Sequence, residues 1–166
     1  MKLLLKSLAL FLGLAFASPA LAFSYSCADW KDRDLAFDFW KEATPATIAD
    51  CVQDMGFAMG FSVNDRNDRG ATPLHFAAGL SLNPDVITAL LEAGAAVNTR
   101  ADGGETPLYG AAEWNTNPDV ITALFKAGAD GSLTDRHGKT PFDLAEEREA
   151  LENTDAYWAL SEARFK

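Results

Sequence analysis

The sequence predicts an all-α solenoid: stacked helix-turn-helix units with hairpin-like fingers between them and helical caps at the ends. Three observations predict it. Thr72-Pro73-Leu74-His75, Thr106-Pro107-Leu108-Tyr109 and Thr140-Pro141-Phe142-Asp143 stand 34 residues apart. Gly60, Gly94 and Gly128 keep the same interval, as do Gly70, Gly104 and Gly138. Residues 72–105 and 106–139 align without a gap and agree at 17 of 34 positions. A fixed period of this length marks supersecondary units that bury each other's apolar faces, and such stacks build long binding faces more readily than catalytic pockets.

The chain has 166 residues, enough for one compact domain. Its first stretch is expected to lie outside that domain. Met1-Lys2 and Lys6 make a basic start, Leu8 to Phe16 an apolar run, and Ala20-Leu21-Ala22 a small-residue cleavage site. Together these read as a secretory signal peptide over residues 1–22. The apolar run is too short for a membrane span, and no later run reaches about 18 apolar residues, so the mature form is expected to insert no helix into a membrane. The expected destination is a periplasm or the outside of a cell. Residues 23–166 then form the repeat domain, with a capping repeat over 27–71, repeats over 72–105 and 106–139, and a closing cap over 140–166.

In the leading cap, Trp30 to Trp40 reads as a helix with Leu35, Phe37, Phe39 and Trp40 for packing. Thr44-Pro45 opens a second helix through Ile48, Cys51 and Val52. A join between Gln53 and Phe61 follows, and Val63-Asn64 restores the phase of the repeat. The two cysteines, Cys27 and Cys51, occur in a chain expected to reach an oxidising compartment. A structural disulfide is the favoured reading. Closing that loop of 25 residues stabilises by roughly 3.5 kcal/mol in the chain-entropy description. A redox pair normally needs closer spacing, such as Cys-x-x-Cys.

Within each full repeat, the residues have mechanical jobs. Thr72 can cap a helix, and Pro73 fills the first position, where a missing N–H costs nothing. Leu74, Ala77 and Ala78 give a short first helix with a small face for close packing. Asn83-Pro84-Asp85 starts the second helix by the same device, with Asp85 at its positive end. Val86, Ile87, Leu90 and Leu91 form the apolar stripe. Gly94 supplies a left-handed stop. The polar stretch Thr99 to Gly104 must then turn back before the next Thr-Pro. In the closing cap, Phe142, Leu144, Ala145 and Leu151 are expected to continue one helix, and Thr154-Asp155 to cap another carrying Tyr157, Trp158, Leu160 and Phe165.

The Thr-Pro-Leu-His-Phe-Ala-Ala run, with Glu92-Ala93-Gly94-Ala95 and the finger that follows, resembles the ankyrin repeat. The resemblance covers about residues 37–152 and is strongest over 60–143. That family's usual period is 33, and the extra residue falls between the two helices, around Leu80 to Leu82 and Asn115 to Thr116. The closing stretch resembles the tail of small exported bacterial ankyrin proteins. What the resemblance implies is a protein partner bound through finger tips and the exposed side of the first helix. Carried across by position, that surface comprises Asp68, Arg69, Asp102, Gly103, Glu105, Glu113, Trp114, Arg136, His137 and Lys139. It implies that His75 hydrogen-bonds neighbouring turns rather than catalysing. His137 is open to a contact role or to simple exposure. Trp114 has two readings: a binding hot spot beside Glu105 and Glu113, or a ring folded over the longer interhelix loop onto Leu80.

No Ser-His-Asp set, metal-ligand spacing or phosphate loop emerges, so no catalytic residue, metal or cofactor is expected. Gly103-Gly104 lacks a preceding strand and reads as a turn. Glu146-Glu147-Arg148-Glu149 and Glu152 read as a solvated helix face. The formal net charge is −10, or −12 once Lys2 and Lys6 are cleaved away. Nucleic acid and anionic membranes would repel such a body. A basic protein partner would be steered to it, although the same charge also serves plain solubility. Three roles follow as expectations: a non-enzymatic binding module, an inhibitor or immunity protein neutralising a basic secreted enzyme, and an accessory in envelope stress protection. Closed caps at both ends favour a monomer.

Overall fold

The computed structural model describes Trp30, residues 36–53 and residues 62–165. The expected leader, Cys27, Gly60 and the join from 54 to 61 lie outside the described residues. Among those described there are eight helices and no strand. They are α1 (Ala36–Glu42), α2 (Pro45–Gln53), α3 (Pro73–Leu80), α4 (Pro84–Glu92), α5 (Pro107–Trp114), α6 (Pro118–Lys126), α7 (Pro141–Ala145) and α8 (Asp155–Ala163). Six of the eight begin on or just inside the Pro of an expected start, where proline's fixed φ suits the first helical turn.

The helices pack in two rows. The first helices stack as α1, α3, α5 and α7, and the second helices as α2, α4, α6 and α8. Ala77, Ala78, Ala111, Ala112 and Ala145 are fully buried between the first helices, and their small side chains allow that close stacking. Val86, Ile87 and Leu90 on α4, and Val120, Ile121 and Leu124 on α6, are also fully buried. Each lies on the helical face facing the neighbouring row, which is how a 3.6-residue period places its apolar stripe. Leu91 is only partly buried, and Val52 on α2 is exposed rather than packed.

The helix ends follow from the same residues. Asn83 and Asn117 accept from the N–H groups of Asp85 and Asp119, each at 3.0 Å. Gly94 and Gly128 stop α4 and α6 at φ 93° and 86°, a conformation that costs residues with a Cβ about 1–2 kcal/mol. The asparagines Asn64 and Asn98 then clasp the next repeat. Asn64 donates to the Gly94 carbonyl at 2.8 Å and accepts from Ala96 N–H at 2.9 Å. Asn98 does the same at Gly128 and Asp130, at 3.1 and 2.9 Å. The phase expected at Val63-Asn64 is therefore present.

The closing cap departs from expectation in two places. Helix α7 stops at Ala145, and residues 146–154 run as successive turns, so Leu151 is buried from a turn and not from a helix. Glu146, Glu147, Glu149 and Glu152 are exposed as expected, but they do not form a helix face. The cause is a long-range contact: Arg148 turns its guanidinium back onto the Glu113 and Asn115 carbonyls at the end of α5. Thr154 then caps α8 through Tyr157 N–H at 3.2 Å. Leu160 is buried there, whereas Trp158 is exposed and Phe165 lies past the helix end, also exposed. In the leading cap, Trp30 precedes α1 with its ring edge-on to Phe76, 5.9 Å between centroids. Phe39 and Trp40 are buried as expected, while Leu35 lies outside the described residues.

Candidate partner-binding groove

The fingers are built alike. Asn67 N–H reaches the Ala71 carbonyl at 3.0 Å, Ala101 N–H that of Glu105 at 2.9 Å, and Asp135 N–H that of Lys139 at 2.9 Å. Each loop turns on a glycine with positive φ: Gly70, Gly104 or Gly138. Successive fingers are joined in register, with Asp102 N–H on the Arg69 carbonyl at 3.0 Å and Arg136 N–H on that of Gly103 at 2.8 Å. Two arginines reinforce the row. Arg66 donates to the Arg100 carbonyl at 2.9 Å, and Arg100 to that of Thr134 at 2.7 Å.

Between this row and the first helices runs an open groove of about 1050 Å³. Asp68, Arg69, Asp102, Gly103, Glu105, Glu113, Trp114 and Arg136 all line it. His137 and Lys139 do not; they stand exposed on the third finger, away from the groove wall. Sequence reasoning omitted its floor, formed by Phe76, Gly79 and Leu80 on α3 and Gly110 on α5. A signal was present in the differences between repeats: Phe76 aligns with Gly110, and Gly79 with Glu113. Positions that vary on a helix whose packing face is constant point away from the stack.

Trp114 takes the exposed arrangement of its two readings, at 64%. Its base lies over Gly79: a Cβ there would stand in ordinary contact, 3.7 Å from Trp114 Cβ and 3.8 Å from Cδ1. Burial holds the Glu113 carboxyl above its ordinary pKa, and the Glu105 and Asp135 charges add to this, against the indole of Trp114 and Arg148.

The third residue after each repeat's Thr does different work from one repeat to the next. Nδ1 of His75 accepts from Thr72 N–H at 3.1 Å, so Nε2 carries the proton and donates to the Glu105 carbonyl at 3.2 Å. Burial keeps this imidazole below its ordinary pKa, and Arg66 does so further. Asp143 performs the same capping task, accepting from Thr140 N–H at 2.7 Å. Tyr109 instead donates its hydroxyl to Asp135 at 3.0 Å, and burial and that carboxylate raise its pKa. Asp135 is itself buried. Desolvation would raise its pKa, but hydrogen bonds from Lys139 N–H, Tyr109 OH and His137 N–H prevail and lower it. These groups hold the fingers to the helices. Among the described residues no group of three or more His, Cys, Asp or Glu could hold a metal ion, and no helix is long and apolar enough to cross a membrane.

Two rows of short helices, in-register fingers and an open groove between them define a repeat scaffold of the binding type. A family model for ankyrin repeats (3 copies) matches residues 46–135, more than half of the chain, and the protein belongs to the ankyrin-repeat family. Ankyrin repeats are generic protein–protein interaction modules, and the family is generally non-enzymatic. A search of curated proteins returned no match.

Proposed function

We propose that this protein is an exported, non-enzymatic binding module that grips a polypeptide partner along the groove between its fingers and first helices. One observation carries the reading. A large aromatic side chain, Trp114, stands 64% exposed on the groove wall, where burial by a partner gives a large return. A photo-crosslinking residue at Asp68, exposed on the groove wall, should form protein adducts in the native cell, while the same residue at Thr88 on the opposite row should not. Equal adducts at both positions, or none at 68, would refute the groove as the gripping surface.

The exported state is supported by the basic start, apolar run and Ala20-Leu21-Ala22 of the leader. Terminal sequencing of the mature protein should begin at Phe23. Cys51 is buried at 1%, in keeping with a structural pairing to Cys27 rather than a reactive thiol. Alkylation of the denatured, unreduced protein should therefore leave both cysteines unlabelled; labelling of either removes the disulfide.

The net charge favours a second reading, an inhibitor or immunity protein for a basic secreted enzyme. Association that ignores ionic strength would weaken it.

A further inference from the structure

The groove is not uniform in charge, and this narrows what can fill it. Its basic groups stand on the finger side, where most are already engaged. Arg66 lies 3.7 Å from Asp102 and donates to a backbone carbonyl, and Arg136 donates to His137 at 3.2 Å. The helix side carries Glu113 and, at the finger base, Glu105. Neither carboxylate has a cationic nitrogen within 4 Å among the described residues. Arg148, whose charge acts on Glu113, directs its hydrogen bonds to the Glu113 and Asn115 carbonyls instead. The Trp114 indole hydrogen-bonds Glu113, and its base lies against Gly79, with the groove open beside Gly110. Glu113 is thus a half-buried carboxylate that the Trp114 indole hydrogen-bonds, near a second acid, Glu105, with no cationic nitrogen in ion-pair reach among the described residues.

We propose that the groove contains a seat for a cationic side chain, an arginine or lysine of the partner segment lying on Trp114 with its head toward Glu113 and Glu105. The proposal rests on the groove being the binding surface. The indole supplies the best aromatic face for a cation and the apolar stem of the incoming side chain. The carboxylates supply charge-assisted hydrogen bonds to its head. Partial burial of Glu113 also means that pairing removes an electrostatic burden already present in the free protein. A carboxylate placed there would meet two others, and an apolar side chain would desolvate Glu113 further without supplying a cation.

The probe is a phage-displayed library of random dodecapeptides selected on the full chain with its cysteines oxidised, followed by fluorescence anisotropy with the enriched peptides. Arginine or lysine should recur at one fixed position. Replacing that residue by norleucine should weaken binding about tenfold, and Glu113→Gln should do likewise. Trp114→Leu should abolish measurable binding, and Trp114→Phe should recover part of it. Because Trp114 is exposed, urea midpoints of its variants should match the parent. Peptides that need Trp114 but carry apolar or acidic residues at the fixed position, indifferent to Glu113→Gln, overturn the cation seat and leave the groove reading standing. Peptides indifferent to Trp114→Leu, or no enrichment at all, overturn both.

Discussion

Asn115 is the residue whose loss the structure makes most costly for its size. It closes α5, is 1% exposed, and reaches back into the preceding repeat. Its Nδ2 donates to the Ala78 carbonyl at 2.8 Å and to that of Ser81 at 2.7 Å, while its Oδ1 accepts from Asn117 N–H at 2.8 Å. The last bond fixes the amide orientation, since a backbone N–H can only donate. The Ala78 carbonyl is one of the orphan acceptors at the end of α3, so no helical partner replaces the amide. Asn115→Ala leaves two carbonyls and one N–H without partners in a buried place. At about 1–3 kcal/mol for each unsatisfied buried group, reduced where the cavity admits water, a loss of about 3 kcal/mol is expected. Asn117→Ala is the internal comparison. It removes one bond to the Leu82 carbonyl and one cap at a more exposed site, for an expected loss of about 1–2 kcal/mol. Asn115→Asp should be worse than Ala, because it turns a carboxylate toward two carbonyl oxygens. Urea unfolding followed by far-UV circular dichroism measures all three. A loss for Asn115→Ala under about 1 kcal/mol, or no larger than that for Asn117→Ala, would refute the inter-repeat role of the amide.

Acid should weaken the protein in two steps. His75 is held neutral, so its contribution is fully present above pH 6.5 and is lost as pH falls below that value toward the folded pKa. Asp135 is held ionised, so its contribution is present above pH 3.8 and is lost below it. His75→Asp, which copies Asp143, should be less stable at neutral pH yet flatter between about pH 7 and 5; an unchanged slope of urea midpoint with pH would remove His75 as the cause. Gly104→Ala should cost more than Gly138→Ala. Both have positive φ, but a Cβ at 104 would stand 3.2 Å from Arg136 N and Asp135 Cα, whereas one at 138 meets nothing within 4 Å. Equal melting temperatures for the two would show that the fingers do not press on one another.

The repeat was legible because its signals are local and paired. Thr-Pro and Asn-Pro fix where α3 to α6 begin, Gly94 and Gly128 fix where two of them stop, and Val86, Ile87 and Leu90 show the inward face. The closing cap was less legible because a single long-range interaction decides it. Arg148 terminates α7 by reaching carbonyls some 33 and 35 residues earlier in the chain, and no window around Phe142 contains that information. Part of the groove was visible, because finger residues and Trp114 could be carried across by position. Its floor was harder to see, because the signal is the change from Phe76 to Gly110 and from Gly79 to Glu113 between repeats, and only the stack shows that those positions face the groove. His137 and Lys139 were placed by position too, and the turn at Gly138 carries them off the wall.

The asparagine clasps have a bearing on how such a chain can change length. Asn64 and Asn98 make the same clasp, so a gene that dropped one 34-residue module, or copied it, would still present matching clasps between second helices. The exposed surface would not survive so well. Without residues 72–105, Gly110 would meet the ring of Trp30 where Phe76 now does, and Trp114 would lose its contact with α3 at Gly79. Growth and shrinkage are thus cheap for the skeleton and expensive for the grip, which ties this protein's particular order of modules to whatever it holds.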